Sequence, residues 1–165
     1  MAESIHAIVS VLIDALDLRQ HPEGGFYREI YRSPALVQPH DDRPPRSAIT
    51  TIYFLLDASQ HSSWHRVQSD EIWHFYEGEP LEILLLDPLG ERVERHLLGP
   101  TGHDTAPVVV VPAGYWQAAR PLGSYTLAGC SVGPGFDFAD FQLLRDHPET
   151  AAQVQTHMPD LADLI

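Results

Sequence analysis

The chain is poor in cysteine and has no long apolar run. Cys130 is the single cysteine among 165 residues, which excludes an intrachain disulfide and suits a reducing compartment. No run of about 18 apolar residues occurs, so no membrane span is predicted. The N-terminal sequence MAESIHAIV has no basic region before its apolar part and does not resemble a secretory signal. We therefore expect one cytoplasmic domain over residues 1–165.

Basic residues are also scarce. The chain has 10 Lys and Arg against 23 Asp and Glu, a formal net charge of −13. Nucleic acids and anionic membranes are therefore not expected as partners, because phosphate binding needs clustered Lys and Arg. The sequence also has no G-x-S-x-G nucleophile turn, no phosphate-binding glycine loop and no Cys-x-x-Cys pair. Cys130 lies in an apolar run, so we expect a small buried side chain rather than a nucleophile.

Proline and glycine, in contrast, are frequent and separate many short segments. There are fourteen prolines and eleven glycines, as expected of a chain with many turns. The segments between the turns are β-branched, aromatic or alternating, and they predict strands over residues 26–31, 48–56, 64–67, 71–77, 81–87, 93–98, 108–111, 116–120 and 124–132. Many short strands without β-α-β alternation predict an all-β fold, an antiparallel double-sheet barrel whose full or near closure removes edge strands.

Helices are predicted only at the two ends. Apolar residues at helical spacing predict an amphipathic helix over residues 4–17, with Ser4 as its N-cap and its apolar stripe on the sheet. The tail, residues 140–165, predicts short polar helical segments interrupted by prolines. Residues 33–46 are rich in proline and charge and predict a loop. Whether this loop closes over a pocket is left open by the sequence.

The sequence WHRVQSDEIWHFYEG over residues 64–78 is the most informative motif. His65, Glu71 and Gly78 follow the pattern H-x-H-x(3,4)-E-x(6)-G, with Val67 in place of the second histidine. Side chains alternate between the faces of a strand, so Glu71, Trp73 and Phe75 should share one face. If His65 points to the same interior, that interior holds an imidazole, a carboxyl group and aromatic walls, as in a ligand pocket.

A second motif, VVVVPAGYWQ, ends at Gln117 and fits P-x-G-x-x-H with Gln117 in place of the histidine. On these two motifs the chain resembles a cupin, more narrowly the family often labelled "predicted sugar epimerase, cupin superfamily". The blocks HPEGGFYRE, WHRVQSDEIWHFYEGEPL, VPAGYWQAA and CSVGPGFDFADF carry the resemblance. It implies a cupin-type double-stranded β-helix, or jelly roll, and commonly a homodimer; it implies little about the reaction.

The resemblance also bears on metal binding. In metal cupins the first motif supplies His, His and Glu and the second supplies His. His65 and Glu71 carry over, whereas Val67 has no ligand atom and Gln117 offers only an amide oxygen. Two good ligands and one poor one fall short of the usual three protein ligands. We therefore expect no required cofactor, and a divalent metal held by His65, Glu71 and Gln117 stays open as an alternative.

Without a metal, His65 and Glu71 can act as an acid–base pair. A neighbouring carboxylate raises the pKa of an imidazole, and an imidazole that titrates near neutral pH is a suitable base for a proton next to a carbonyl group. Keto-sugar epimerases of the cupin fold use a histidine, a carboxylate and a tyrosine, and Tyr53 is our candidate acid. Two alternatives remain: a satisfied buried pair in a module that only binds a small ligand, and a metal-dependent enzyme with a degenerate ligand set.

Four further residues are candidate ligand contacts. Arg28 follows the turn HPEGG at residues 21–25, where two glycines permit close backbone approach or positive φ, and its guanidinium suits a carboxylate or phosphate. A surface turn with an ordinary ion pair is the alternative. Trp73, Phe75 and Gln117 are the other candidates, although aromatic side chains also commonly serve as core.

Overall fold

The computed structural model describes residues 2–165, and the side chains of residues 7–165. It contains two α-helices, α1 (Ala2–Leu16) and α2 (Pro148–His157), and three short 3₁₀ turns at Phe138–Asp140, Leu144–Asp146 and Pro159–Leu164. The strands are β1 (Arg19–Gln20), β2 (Phe26–Arg32), β3 (Leu36–Val37), β4 (Arg46–Ser47), β5 (Thr50–Asp57), β6 (Ser62–Arg66), β7 (Asp70–Gly78), β8 (Leu81–Leu86), β9 (Val93–Leu98), β10 (Val108–Val111), β11 (Trp116–Pro121), β12 (Tyr125–Gly133) and β13 (Gln142–Leu143).

The strands form two antiparallel sheets packed face to face. One has the order β1-β2-β5-β12-β7-β10, the other β13-β6-β11-β8-β9, and β3 pairs with β4 in a separate ribbon. Phe54 and Trp73 of the first sheet share one buried cluster with Leu81, Ile83 and Leu85 of the second. The mostly β fold is confirmed, and the arrangement fits a jelly roll. Over residues 2–165 the two sheets stay separate, with β1, β10, β13 and β9 as edges, so closure into one barrel is not seen.

All nine predicted strands are present. Those over residues 93–98 and 108–111 have the predicted bounds, and the others shift by one or two residues. The strands that were not predicted, β1, β3, β4 and β13, have two residues each, too few for a period-2 pattern to be visible.

Helix α1 packs on the outer face of the six-stranded sheet, as predicted. It begins at Ala2, so the prediction that Ser4 is its N-cap is wrong: Ser4 lies within the first turn. Val9 packs with Leu55 of β5 and Leu127 of β12. Leu55 alternates with the inward-facing Phe54 along β5, so the helix covers the face of the sheet that points away from the cavity.

The tail covers the outer face of the five-stranded sheet. Val154 and Leu161 join a buried cluster with Trp64 and Trp116, and the Trp64 indole Nε1 donates to the Leu161 carbonyl at 3.2 Å. The tail is therefore helical as predicted, but it also supplies apolar packing. Across residues 2–165, no helix has the length and apolar character needed to cross a membrane.

The proline-rich loop is held near β4 by two arginines that bind one carboxylate. Arg46 Nε and Nη2 donate to the two carboxylate oxygens of Asp140, each at 2.9 Å, and Arg43 Nη1 reaches Asp140 Oδ2 at 3.0 Å. Asp140 ends the 3₁₀ turn Phe138–Asp140, which borders the cavity described next. The loop therefore holds a wall of the cavity in place, and its own residues 33–46 are not among the cavity lining.

Candidate functional site

A cavity of about 460 Å³ opens between the two sheets near the start of β7 and the end of β12. This volume lies within the range of small-molecule sites. Its lining combines titratable groups with apolar and aromatic side chains: His21, Glu23, Tyr27, Glu29, Arg32, Thr50, Ile52, His65, Val67, Glu71, Cys130, Val132, Phe136, Asp137 and Phe138. The interior carboxyl and imidazole groups come from three separate parts of the chain.

The turn HPEGG between β1 and β2 places the first of these groups. Gly24 and Gly25 have φ of 110° and 74°, values that favour glycine. A Cβ at Gly24 would overlap the carbonyl oxygen of His61. The Ser63 amide donates to the Glu23 carbonyl at 2.7 Å. The turn is thus held against the start of β6, and the Glu23 side chain enters the cavity.

Glu23 and His65 form a hydrogen-bonded pair. His65 Nε2 lies 3.1 Å from Glu23 Oε2, and Ser62 Oγ donates to Glu23 Oε1 at 2.8 Å. His65 Nδ1 lies 2.8 Å from the Ser63 carbonyl oxygen. A carbonyl oxygen only accepts, so Nδ1 carries the proton of the neutral ring and Nε2 presents a lone pair to Glu23.

Burial sets the protonation of this pair. It raises the pKa of Glu23 to about 8, although the Ser62 hydrogen bond acts in the opposite direction. Burial also lowers the pKa of His65, more than the Glu71 charge and the Ser63 hydrogen bond raise it. Both shifts favour the neutral forms. At neutral pH the Glu23 carboxyl group therefore donates its proton in a hydrogen bond to His65 Nε2.

His21 flanks the same carboxyl group. Its Nδ1 accepts from the Glu23 amide at 3.2 Å and lies 3.4 Å from Glu23 Oε2. Burial is the main cause that lowers the pKa of His21 to about 3. The ring is enclosed by Tyr27 at a centroid distance of 4.5 Å and by Phe138 at 6.1 Å. Glu23 therefore lies beside two neutral imidazoles.

Glu71 is oriented by a separate chain of hydrogen bonds. The Trp73 indole Nε1 donates to Gln117 Oε1 at 2.9 Å, and Gln117 Nε2 donates to Glu71 Oε2 at 2.6 Å. Burial raises the pKa of Glu71, whereas a positive charge on His65 would lower it and a negative charge on Glu23 would raise it. Glu71 is thus close enough to both groups to interact electrostatically. The pairing of His65 with Glu71 that the sequence predicted differs in detail, because the hydrogen-bonded partner of His65 is Glu23.

The residues at the conventional cupin metal positions do not fit a metal site. The indole N–H of Trp73 can only donate, so it fixes the Gln117 oxygen away from Glu71 and turns the amide NH₂ toward it. Gln117 therefore presents no ligand atom there, and Val67 has none. Within residues 2–165, no group of three or more His, Cys, Asp or Glu side chains is arranged to hold a metal ion.

The structure separates the remaining predicted residues. Trp73 is buried and is linked to the cavity residue Glu71 by hydrogen bonds through Gln117. Phe75 packs against the buried core cluster. Tyr53 packs under α1 on the outer face of the sheet, away from the cavity. Arg28 is exposed, and its Nη1 donates to the Leu16 carbonyl at 3.2 Å.

Several cavity residues were not predicted as site residues. Glu23 and His21 lie within the HPEGG turn, where the paired glycines and adjacent His and Glu were the available signal. Arg32 belongs to no recognisable motif, and the pairing of β2 with β5 brings it to the cavity. Ser62, which donates to Glu23 from behind the lining, also belongs to no motif. Cys130 is buried in the lining, as its apolar surroundings predicted; burial raises the pKa of its thiol well above the ordinary value.

Proteins of known structure share this architecture along nearly the whole chain. A hypothetical protein from Leishmania major is 31% identical, with a TM-score of 0.79 and coverage of 94% of this chain and 95% of its own. A protein from Shewanella oneidensis is 36% identical, with a TM-score of 0.74 and coverage of 87% and 92%. No curated protein matches.

More distant neighbours share the fold alone. Oxalate decarboxylase from Bacillus subtilis is 12% identical, with a TM-score of 0.58 and coverage of 90% of this chain and 37% of its own. The model of a family described as "Cupin superfamily (DUF985)" matches residues 10–144. With the two motifs, the facing sheets and these relatives in agreement, the chain belongs to the cupin superfamily, in the family DUF985.

Proposed function

We propose that this protein is an isomerase-type enzyme that moves a proton on a small carbonyl compound such as a keto sugar. The observation that carries the proposal is the Glu23–His65 pair, a protonated carboxyl group held against a neutral imidazole in the wall of a ligand-sized cavity. A buried acid with a pKa near the working pH is suited to general acid catalysis.

The geometry distributes the proton steps between two carboxyl groups. The Glu23 proton leaves its hydrogen bond with His65 and passes to the carbonyl oxygen of the substrate, while Glu71, as a carboxylate, takes the proton from the neighbouring carbon, and an enediol forms. Return of a proton to the opposite face of that carbon gives the epimer, and its return to the former carbonyl carbon gives the isomer. In both cases an enediol hydroxyl gives its proton back to Glu23 as the carbonyl group re-forms. Burial raises the pKa of Glu71, which strengthens it as a base. His65 positions the Glu23 proton through Nε2.

Deuterium exchange tests the proposal across a set of candidate substrates. Uncharged keto sugars and their phosphate esters are incubated with the protein in D₂O, and incorporation of deuterium next to the carbonyl group is followed by NMR. We expect Glu71→Gln and Glu23→Gln each to lose about 100-fold or more of the exchange rate. Tyr53→Phe should retain it, because Tyr53 lies on the outer face of the sheet. Exchange that survives Glu71→Gln would refute the assignment of the base.

A second candidate, a non-catalytic binding module, is favoured by one observation. Both ring nitrogens of His65 already have partners within the protein, as in a satisfied buried pair. This function predicts ligand binding without deuterium exchange, and binding that survives His65→Asn.

A further inference from the structure

The titratable side chains that line the cavity are mostly carboxyl groups. Four lining residues carry carboxyl groups, Glu23, Glu29, Glu71 and Asp137, whereas Arg32 is the one lining residue with a guanidinium or ammonium group. The two remaining titratable nitrogen groups are the buried imidazoles. A ligand that enters therefore meets carboxyl groups both at the mouth and in the interior.

Arg32 is already engaged by the protein. Its Nε and Nη2 donate to the two carboxylate oxygens of Glu29, each at 2.8 Å, and Nη2 also reaches the Phe136 carbonyl at 3.0 Å. This bidentate arrangement is the one that a carboxylate or phosphate ligand would need. An anionic ligand that binds Arg32 in a bidentate manner through Nε and Nη2 would have to displace Glu29, and it would still face Asp137, whose charge acts on Arg32.

The rest of the lining suits an uncharged ligand. Ile52, Val132 and Phe136 supply apolar surface, whereas Glu23 and Thr50 supply hydrogen-bonding groups. The volume of about 460 Å³ accommodates a monosaccharide with or without a phosphate group. Charge, rather than size, therefore distinguishes the two.

We infer that the cavity selects an uncharged carbonyl compound, such as a free keto sugar, and rejects its phosphate esters and small dicarboxylates. This inference rests on the proposed function for the type of substrate and adds its charge class. The carboxylates of the cavity would repel the negative charge of a phosphate ester or a dicarboxylate, and such repulsion weakens binding.

The test compares matched ligands that differ only in charge. The ¹⁵N-labelled full chain is titrated with D-fructose, D-tagatose and L-sorbose, then with the phosphate esters of the same sugars, while NMR shifts of cavity residues are followed. We expect at least one free sugar to bind at the cavity. We expect the dissociation constant of its phosphate ester to be higher by about tenfold or more. Asp137→Asn should reduce the ratio of the two dissociation constants, ester to free sugar. Asp163→Asn, at an exposed position remote in sequence, should leave that ratio unchanged.

Equal or tighter binding of the esters, an unchanged ratio in Asp137→Asn, or no cavity shift with any free sugar would overturn the inference. The proposed function fails separately. Binding of a free sugar without deuterium exchange would refute the proposed enzymatic activity and support the preference for uncharged ligands. Deuterium exchange seen only with phosphate esters would support the enzymatic activity and refute the preference for uncharged ligands.

Discussion

The protonation of Glu23 links the candidate site to the stability of the chain. Its pKa is about 8 in the folded protein against an ordinary value of 4.5. Between these pH values the folded chain holds a proton that the unfolded chain has released. The contribution of Glu23 protonation to the free energy of unfolding is therefore complete below pH 4.5 and is lost as the pH rises through 8.

Replacement of Glu23 by glutamine should remove this pH dependence. We compare the free energies of unfolding of the native chain and of Glu23→Gln. As the pH rises from 6 to 8, we expect the value of the native chain to fall relative to that of the variant by about 1 kcal/mol per pH unit. Urea unfolding across that range measures it, with the exposed Glu149→Gln as the control that keeps the native slope. Parallel profiles for the native chain and Glu23→Gln would contradict a buried neutral carboxyl group.

Gly24 is the residue on which the placement of Glu23 depends. Its φ is 110°, and an added Cβ would overlap the His61 carbonyl oxygen. We expect Gly24→Ala to destabilise the protein by more than about 2 kcal/mol. Gly114 is a matched control with φ of 81° and no atom within 4 Å of an added Cβ, so Gly114→Ala should cost only about 1 kcal/mol. Urea unfolding that gives equal losses would refute the steric role of the His61 contact.

At the residue scale, the sequence located part of the site and missed the hydrogen-bonded partner of His65. His65 and Glu71 were found from their motif spacing, and both line the cavity. The partner of His65 could not be found, because Glu23 is far from it in sequence and reaches it through the turn between β1 and β2. Tyr53 was chosen for its nearness in sequence, but strand alternation turns it to the helix-covered face.

At the scale of elements, ion pairs join the ribbon β3–β4 to the turn Phe138–Asp140. Arg43 and Arg46 both donate to Asp140, and Phe141, the residue after the turn, stacks on His65 at a centroid distance of 5.5 Å. The arginines hold the pKa of Asp140 below its ordinary value. The loop and the cavity wall should therefore open together when this pairing is removed.

Hydrogen exchange can detect that opening. We expect Asp140→Asn to accelerate amide exchange by about tenfold or more in residues 36–47 and 136–141, and to leave β8 unchanged. Asp160→Asn removes a different arginine contact, that of Arg95 at 2.7 Å, and should leave both segments protected. Acceleration confined to residue 140 itself would show that Asp140 does not join the two segments.

The elements differ in how far sequence predicts them. Longer strands have turn residues at both ends and enough positions for alternation, so their existence and approximate bounds followed from the pattern. The ribbon of β3 and β4 did not, because its strands have two residues each, and the Arg46–Asp140 pair that holds it joins positions 94 apart. Interactions at such separation leave no local signal.

At the scale of the whole molecule, the tail covers the outer face of the five-stranded sheet. Leu161 is 1% exposed and packs with the aromatic residues of β6 and β11. We expect Leu161→Ala to cost about 2–5 kcal/mol in the free energy of unfolding, measured by urea unfolding with tryptophan fluorescence. The control Leu89→Ala, at a leucine that is 73% exposed, should cost less than about 0.5 kcal/mol. A loss at Leu161 no greater than at Leu89 would contradict a structural role for the tail.

The central claim is that the cavity holds a protonated Glu23 against a neutral His65, and histidine NMR tests it most directly. Long-range ¹H–¹⁵N spectra of the uniformly labelled chain at pH 7, assigned with His65→Asn, report which ring nitrogen carries hydrogen. We predict a neutral His65 with hydrogen on Nδ1 and a lone pair on Nε2. A doubly protonated ring, or hydrogen on Nε2 alone, would contradict it.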